Sequence, residues 1–382
     1  MINYPTSKLP DVGTSIFTVM SALANEHKAI NLSQGFPDFN CPKPLMDLVT
    51  KYMREGFNQY APMAGMPQLR HQIGQKTERM YGYQPDPDTE ITVTSGATEA
   101  LNAAITAVVK PGDEVVLLEP CYDSYAPVIR LCGGSPIYVP LALPNFSVDW
   151  DQVKKRISSR TRMVIINTPH NPTGAVIAKQ DMDMLASLTS GSDILVLSDE
   201  VYEHMVFDGQ QHYSALQHPQ LRERSFVVSS FGKTYHTTGW KVGYAIAPPR
   251  LTAELRRVHQ FTTFCTATPF QLAIADFIEE AQHYLQLPDF YQAKRDLFVE
   301  LLRQTRFEAV PSAGTYFQLA KYSGITDAYD LEFAKRLTTG TGVAAIPVSA
   351  FYHDKTDHKY LRFCFAKSEE TLRTAAEKLA KL

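Results

Sequence analysis

SFVVSSFGKTYHTTGWKVG, residues 225–243, sets a β-branched run against a turn that carries two lysines. Phe226, Val227 and Val228 predict a buried strand that breaks at Ser229-Ser230. Gly232 lets the chain turn tightly, so Lys233 can project from a strand end into a cavity. A lysine held there, partly desolvated and near other cations such as Lys241, loses proton affinity and becomes a nucleophilic amine. Two other readings compete. Gly232-Lys233-Thr234 ends like a phosphate-binding P-loop, but Val227 stands where that motif needs glycine, and a turn rather than a helix is expected after the lysine. Taken in isolation, the stretch is read more readily as a surface hairpin with two solvated lysines, and the rest of the chain decides.

Upstream, strand and helix patterns alternate. Ile91-Thr-Val-Thr-Ser-Gly-Ala-Thr98 is a short strand that runs into small residues and then an apolar helix from Glu99 to Val109. That order builds an anion-binding helix start, with the N–H groups of Gly96, Ala97 and Thr98 facing a phosphate. Val115–Leu118 and Arg162–Ile166 are further strands, followed by loops holding Tyr122 and the turn Asn171-Pro-Thr-Gly174. Residues 193–199 run apolar into Asp199, which predicts a buried parallel strand with an acid near its end. Such a carboxylate requires a cationic or N–H partner. The alternation over about 91–231 predicts an α/β layer with a largely parallel sheet. Ligands collect beyond the carboxyl ends of such strands, where Thr98, Tyr122, Asn171, Asp199 and Lys233 all fall.

The chain begins with a loose arm and a helix from about Ile16 to Ala24, with Phe17 on its apolar face. Gly35 lies in a loop where its N–H could meet a ligand carboxylate, or where it is only a turn glycine. Tyr60 sits in an exposed loop between two helices. Beyond a long charged helix at about 289–304, the strand 360–366 carries Arg362 among Leu361, Phe363, Cys364 and Phe365. A guanidinium there serves a carboxylate, either internal or that of a substrate.

Composition narrows the class. With 382 residues, 44% hydrophobic and 20% charged, the chain is an ordinary globular protein long enough for two domains. A net charge of −3 without a long basic run argues against nucleic-acid or anionic-membrane partners. The five cysteines form no C-x-x-C pair and the eleven histidines no ligand spacing, so no metal site, no disulfide framework and a reducing, cytoplasmic setting are expected. No apolar run is long enough to span a membrane, and Met1–Pro10 lacks a signal pattern.

A nucleophilic lysine, a buried acid, a phosphate cradle, a second cation and a carboxylate-binding arginine together suit pyridoxal 5′-phosphate. The motifs NLSQGFPDF, NQYAPMAG, TPHNPTG, SDEVYEH, SSFGKTYHTTGWKVGY and LRFCFAK carry this further. On them the chain resembles, over nearly its whole length, the fold-type I, class I/II pyridoxal-phosphate aminotransferases. The likeness is strongest to the methionine, kynurenine and glutamine–phenylpyruvate transaminase branch. The resemblance implies a large domain with a mostly parallel seven-stranded sheet plus a smaller α+β domain. It divides the chain into an arm and part of the small domain (1–40), a cofactor domain (41–280) and a small C-terminal domain (281–382), assembled as a homodimer.

By the same resemblance, Lys233 holds the cofactor as an imine and carries the proton between the substrate Cα and the cofactor. Asp199 pairs with the pyridinium nitrogen, Asn171 and Tyr202 donate to the ring oxygen, and Tyr122 stacks on the ring. Gly96, Ala97, Thr98, Ser230 and Lys241 make the phosphate site, Lys241 replacing a more frequent arginine. Tyr60 reaches the partner subunit's phosphate. Arg362 and Gly35, with Asn171, clamp the substrate α-carboxylate, and Phe17, Phe264 and Phe317 line the side-chain pocket. Cys265 stands where some kynurenine-using relatives carry histidine, a departure that counts against kynurenine. The expectation is ping-pong transamination between methionine or other apolar and aromatic L-amino acids and a 2-oxo acid. The alternatives are cysteine-conjugate β-lysis and kynurenine or glutamine transamination on the same scaffold. A ligand-sensing transcription regulator would need a basic DNA-binding domain ahead of the Gln34-Gly35 loop.

Overall fold

A computed structural model describes residues 4–382; residues 1–3 of the expected N-terminal arm lie outside the described residues. Four helices lead into or open the central layer: α1 (Ile16–Glu26), α2 (Lys43–Arg54), α3 (Pro67–Tyr81) and α4 (Gly96–Val108). Ser15 caps α1 by accepting from the Thr18 N–H at 3.2 Å, and prolines open α2 and α3, where a missing N–H costs nothing.

Among the described residues there are twelve strands, in chain order β1 (Ile30–Asn31), β2 (Ile91–Thr94), β3 (Glu114–Glu119), β4 (Ser135–Pro140), β5 (Thr161–Asn167), β6 (Leu195–Asp199), β7 (Ser225–Ser230), β8 (Gly243–Ile246), β9 (Phe317–Lys321), β10 (Val343–Ala344), β11 (Ile346–Pro347) and β12 (Tyr360–Cys364). Seven of them form the main sheet in the order β2-β8-β7-β6-β5-β3-β4, in which β8 alone runs against its neighbours. The expected α/β fold with a mostly parallel seven-stranded sheet is therefore what the chain adopts. Both faces of the sheet are covered, so its strands read as near-continuous apolar runs. Alternation sorts them by face: Val115, Leu117, Ile165, Leu197 and Phe226 pack under α4, while Val116, Val164, Val196 and Val227 join the larger core on the other side.

β9, β11 and β12 make a small antiparallel sheet, and β1 pairs with β10 in parallel, so the segment after α1 is stitched to residues 343–344. Among the described residues no helix is long and apolar enough to cross a membrane.

Three local readings need correction. The strand over 225–230 does not break at Ser229-Ser230; it runs through them, because both pair with β8. Lys233 sits in a single helical turn, Phe231–Thr234, and not in an open turn. Gly232 has no positive φ. It is glycine because a Cβ would stand 3.0 Å from the Thr238 Cα, where the returning chain passes close by.

A buried polar network fastens α3 to the sheet. The Lys76 Nζ lies 2.6 Å from Glu203 Oε1 and donates to Tyr244 Oη at 2.8 Å, and Ser229 and Tyr81 also donate to the Glu203 carboxylate. Burial works against that charge, yet Lys76 and the hydroxyl donors hold the Glu203 carboxyl far below the usual range. Lys76→Met should therefore strand a buried carboxylate and lower stability by about 3 kcal/mol. A reduced denaturant midpoint at fixed protein concentration is the measurement.

Candidate active site

A cavity of about 260 Å³ opens beyond the carboxyl ends of β5, β6 and β7. It gathers residues from Phe17 on α1 to Arg362 on β12, which only tertiary folding brings together. Register explains part of this: Asn167 and Asp199 are opposite one another at the last pair of β5 and β6, so both side-chain-bearing ends reach the same rim.

Asp199 is 4% exposed. Its Oδ2 accepts from the Tyr125 hydroxyl at 2.6 Å and its Oδ1 from the Val201 N–H at 3.3 Å. No cation bonds to it among the described residues, so the partner required of a buried acid is only half supplied. Burial raises its carboxyl to about 6, against the pull of Tyr125 and Val201. An acid in that state can grip a protonated ring nitrogen.

Lys233 enters from the helical turn after β7. Its Nζ donates to Tyr316 Oη at 2.8 Å and to the Gly35 carbonyl at 3.1 Å, and Tyr316 in turn donates to that same carbonyl. Burial lowers its ammonium to about 8, with Arg362 and Lys241 adding to the effect and Cys364 opposing it. The amine is thus markedly easier to deprotonate than a solvated lysine.

Arg362 is 1% exposed in the middle of β12. Its Nη1 donates to Asn171 Oδ1 at 2.7 Å and its Nη2 to the Ser33 carbonyl at 3.0 Å, while Nε has no partner among the described residues. The rings of Phe317, Phe17 and Phe351 surround the guanidinium at 3.8, 5.2 and 5.2 Å. Asp123 acts on it only through space. Burial brings its pKa down to about 10. A guanidinium so enclosed, with no carboxylate bonded to it, is a grip waiting for an anionic ligand group.

At the opposite end, Ser230, Thr98, Ala97 and Gly96 line the wall beside Lys241. Gly96 takes φ +70° at the first position of α4, and a Cβ there would press on the Lys241 Nζ at 3.2 Å. Lys241 is itself left-handed at φ 55°, a strained backbone that brings its Nζ to 3.5 Å from Thr98 Oγ1. Amides at a helix start, hydroxyls and an ammonium together suit a phosphate. Tyr122 and Tyr202 line the space between these ends. Burial pushes both phenols above the ordinary range, so they remain protonated donors.

Thirteen of the sequence-derived residues thus face one cavity with Phe17 and Phe317 among them. Gly35 also lines it, though its fit is steric: a Cβ would stand 2.7 Å from the Phe317 ring. Two residues do not join. Phe264, expected on the wall of this pocket, is instead turned out at φ 70° past the helix Pro249–Thr262, and its ring meets Tyr60 edge-to-face at 5.6 Å. Tyr60 is 85% exposed. Within one chain, then, the pocket is built without either.

Three contributors escaped the sequence reading. Tyr125 stands three residues after Tyr122 and bonds Asp199; Tyr316 precedes Phe317 and bonds Lys233. Asn167 accepts from the Asn171 N–H and donates to the Asp199 carbonyl, both at 2.8 Å. For Asn167 a signal existed, since a polar residue closing an apolar strand is costly unless it has work at the strand end.

Residues 27–379 match the family described as aminotransferase class I and II. The chain is 56% identical to the methionine aminotransferase of Escherichia coli (strain K12) over 379 residues, 99% of this chain and 98% of that one. It is 34% identical to human kynurenine–oxoglutarate transaminase 1, covering 94% of this chain and 93% of the other. Among solved structures, YbdL from Escherichia coli, reported with a methionine aminotransferase function, superposes with a TM-score of 0.97 at 55% identity and full coverage of both chains.

Proposed function

The chain belongs to the class I and II aminotransferases, a family that in general depends on pyridoxal phosphate, and from that premise we propose that it transfers the amino group of methionine and aromatic L-amino acids to a 2-oxo acid. The observation that carries this reading is the pairing of two unmet charges across one cavity, the acid of Asp199 and the guanidinium of Arg362.

The residues present suit the cofactor. Asp199 would face its ring nitrogen, Asn171 and Tyr202 its ring oxygen, and Tyr122 its flat face. Gly96, Ala97, Thr98, Ser230 and Lys241 would take its phosphate, and Lys233 its aldehyde carbon. Bound there, pyridoxal phosphate supplies an electron sink for the pair released when the substrate Cα loses its proton. The chain does the rest. Arg362, with Asn171 and Gly35, orients the α-carboxylate so that the Cα–H bond points at Lys233. The amine of Lys233, neutral in a useful fraction near pH 8, takes that proton and later returns it. Amino acid enters and oxo acid leaves, then a second oxo acid runs the sequence backwards.

Substrate choice follows from the wall. Beyond Arg362, Lys233 and Lys241, its lining has no further cation, while Phe17, Phe317, Leu101 and Val201 offer apolar surface. A second carboxylate would be buried without a partner. We expect kcat/KM for methionine and phenylalanine to exceed that for aspartate by on the order of 10²-fold or more. Half-reactions followed through the cofactor's absorbance test it, and aspartate turning over as fast as methionine would refute the assignment.

The exposed face also bears on assembly. Tyr60, Phe264, Phe261 and Met53 are apolar side chains left uncovered. They support a homodimer in which Tyr60 reaches the phosphate and Phe264 the substrate pocket of a second copy. The division at residues 40 and 280 and a cytoplasmic location belong to the same proposal.

A further inference from the structure

Beneath the first turn of α4 lies a pair that no step above uses, Glu99 and His259. His259 is wholly buried on the helix Pro249–Thr262 and Glu99 nearly so. The His259 Nδ1 is 2.8 Å from Glu99 Oε1, and its Nε2 is 2.9 Å from the Met63 carbonyl. The other carboxylate oxygen, Oε2, accepts from the Ser95 N–H at 3.0 Å. Ser95 is the residue from which α4 starts, and Met63 lies in the loop of Tyr60.

Proton bookkeeping at this pair is constrained by geometry. A carbonyl oxygen can only accept, so Nε2 carries a hydrogen. The contact between Nδ1 and Oε1 needs a second one, on either atom. The pair therefore holds one proton more than a neutral imidazole beside a bare carboxylate, and its net charge is zero. That matters because of position. Glu99 lies one residue beyond Thr98, within a helical turn of the amides assigned to the phosphate. An uncompensated carboxylate there would oppose a phosphate dianion through protein rather than water.

We propose that His259 is a positioning residue of the phosphate site: by neutralising Glu99 it lets that carboxylate hold the start of α4 without repelling the phosphate. This rests on the reading of Gly96, Ala97 and Thr98 as the phosphate cradle.

The test compares apoenzyme affinity for pyridoxal phosphate with that for pyridoxal, which lacks the phosphate, by equilibrium titration. Wild type should favour pyridoxal phosphate strongly; if it does not, the cradle itself is misassigned. His259→Gln should weaken pyridoxal phosphate binding by about tenfold or more and leave pyridoxal within about twofold. Adding Glu99→Gln to that variant should restore most of the loss, because the amide keeps an acceptor for Ser95 without the charge. Equal loss for both ligands, or no recovery in the double variant, overturns the proposal while the cradle stands. Should His259→Gln fail to fold, Glu99→Gln alone decides. Removing an already neutralised charge should change phosphate preference less than about threefold, and a gain of tenfold would mean the charge was never compensated.

Discussion

Lys233→Ala should reduce amino-group transfer by on the order of 10⁴-fold or more, the largest effect expected of any single substitution in this chain. The proposed role removes two things at once, the covalent hold on the cofactor and the base that takes the Cα proton. Cofactor can still bind, because the phosphate cradle lies at the start of α4, the end of β7 and Lys241, and Asp199 on β6, and none of these depends on the amine. Small primary amines added to the variant should restore part of the rate, since they can enter the space the side chain leaves.

The pH dependence has a definite sign. Burial lowers the Lys233 ammonium to about 8, so below that value the neutral fraction falls tenfold per pH unit. Capture of pyridoxal phosphate by the wild-type apoenzyme should therefore accelerate about tenfold from pH 6 to 7 and level off above about 8. A capture rate flat across that range, or a variant retaining a tenth of wild-type turnover, would remove Lys233 from the mechanism.

Arg362→Gln should lower kcat/KM for amino acids by roughly 10³-fold, from losing two charge-assisted hydrogen bonds to the α-carboxylate. Arg362→Lys should recover little, because an ammonium cannot reproduce the fork that Phe317 stacks at 3.8 Å and Asn171 orients at 2.7 Å. The control is a substrate amine lacking the carboxylate. It has nothing for Arg362 to grip, so its slow reaction should be equally slow in wild type and variant. If both substrates lose activity alike, the arginine is holding the fold and not the substrate. The same logic separates Phe351, whose ring lies 5.2 Å from the guanidinium and packs on Phe17, as part of the enclosure and not of the chemistry.

Much of this was legible in the chain because local rules point one way. Apolar runs ending in Asp199 or in Ser229-Ser230, and a glycine-bearing turn opening α4, have few uses other than strand ends and a helix start. Lys233 stood out because it follows a buried strand and a glycine at the strand end, and Arg362 because charge set among apolar neighbours is expensive. Elsewhere short-range reading failed where pairing partners decide. Ser229 and Ser230 continue β7 because β8 returns alongside them, a fact with no local signature. Gly232 is glycine for the close passage of Thr238, not for a positive φ.

By itself, the sequence determined the α/β layer and singled out the amine, acid and guanidinium proposed to act at its rim, since each stands out by side-chain chemistry and short-range periodicity. Only the tertiary structure decided their partners: Tyr125 against Asp199, Tyr316 against Lys233, Asn171 against Arg362, and His259 against Glu99. Those contacts join residues 74 to 191 positions apart. Nothing in local propensity encodes them, because a hydrogen bond is set by where the packed sheet and helices leave two polar atoms facing each other.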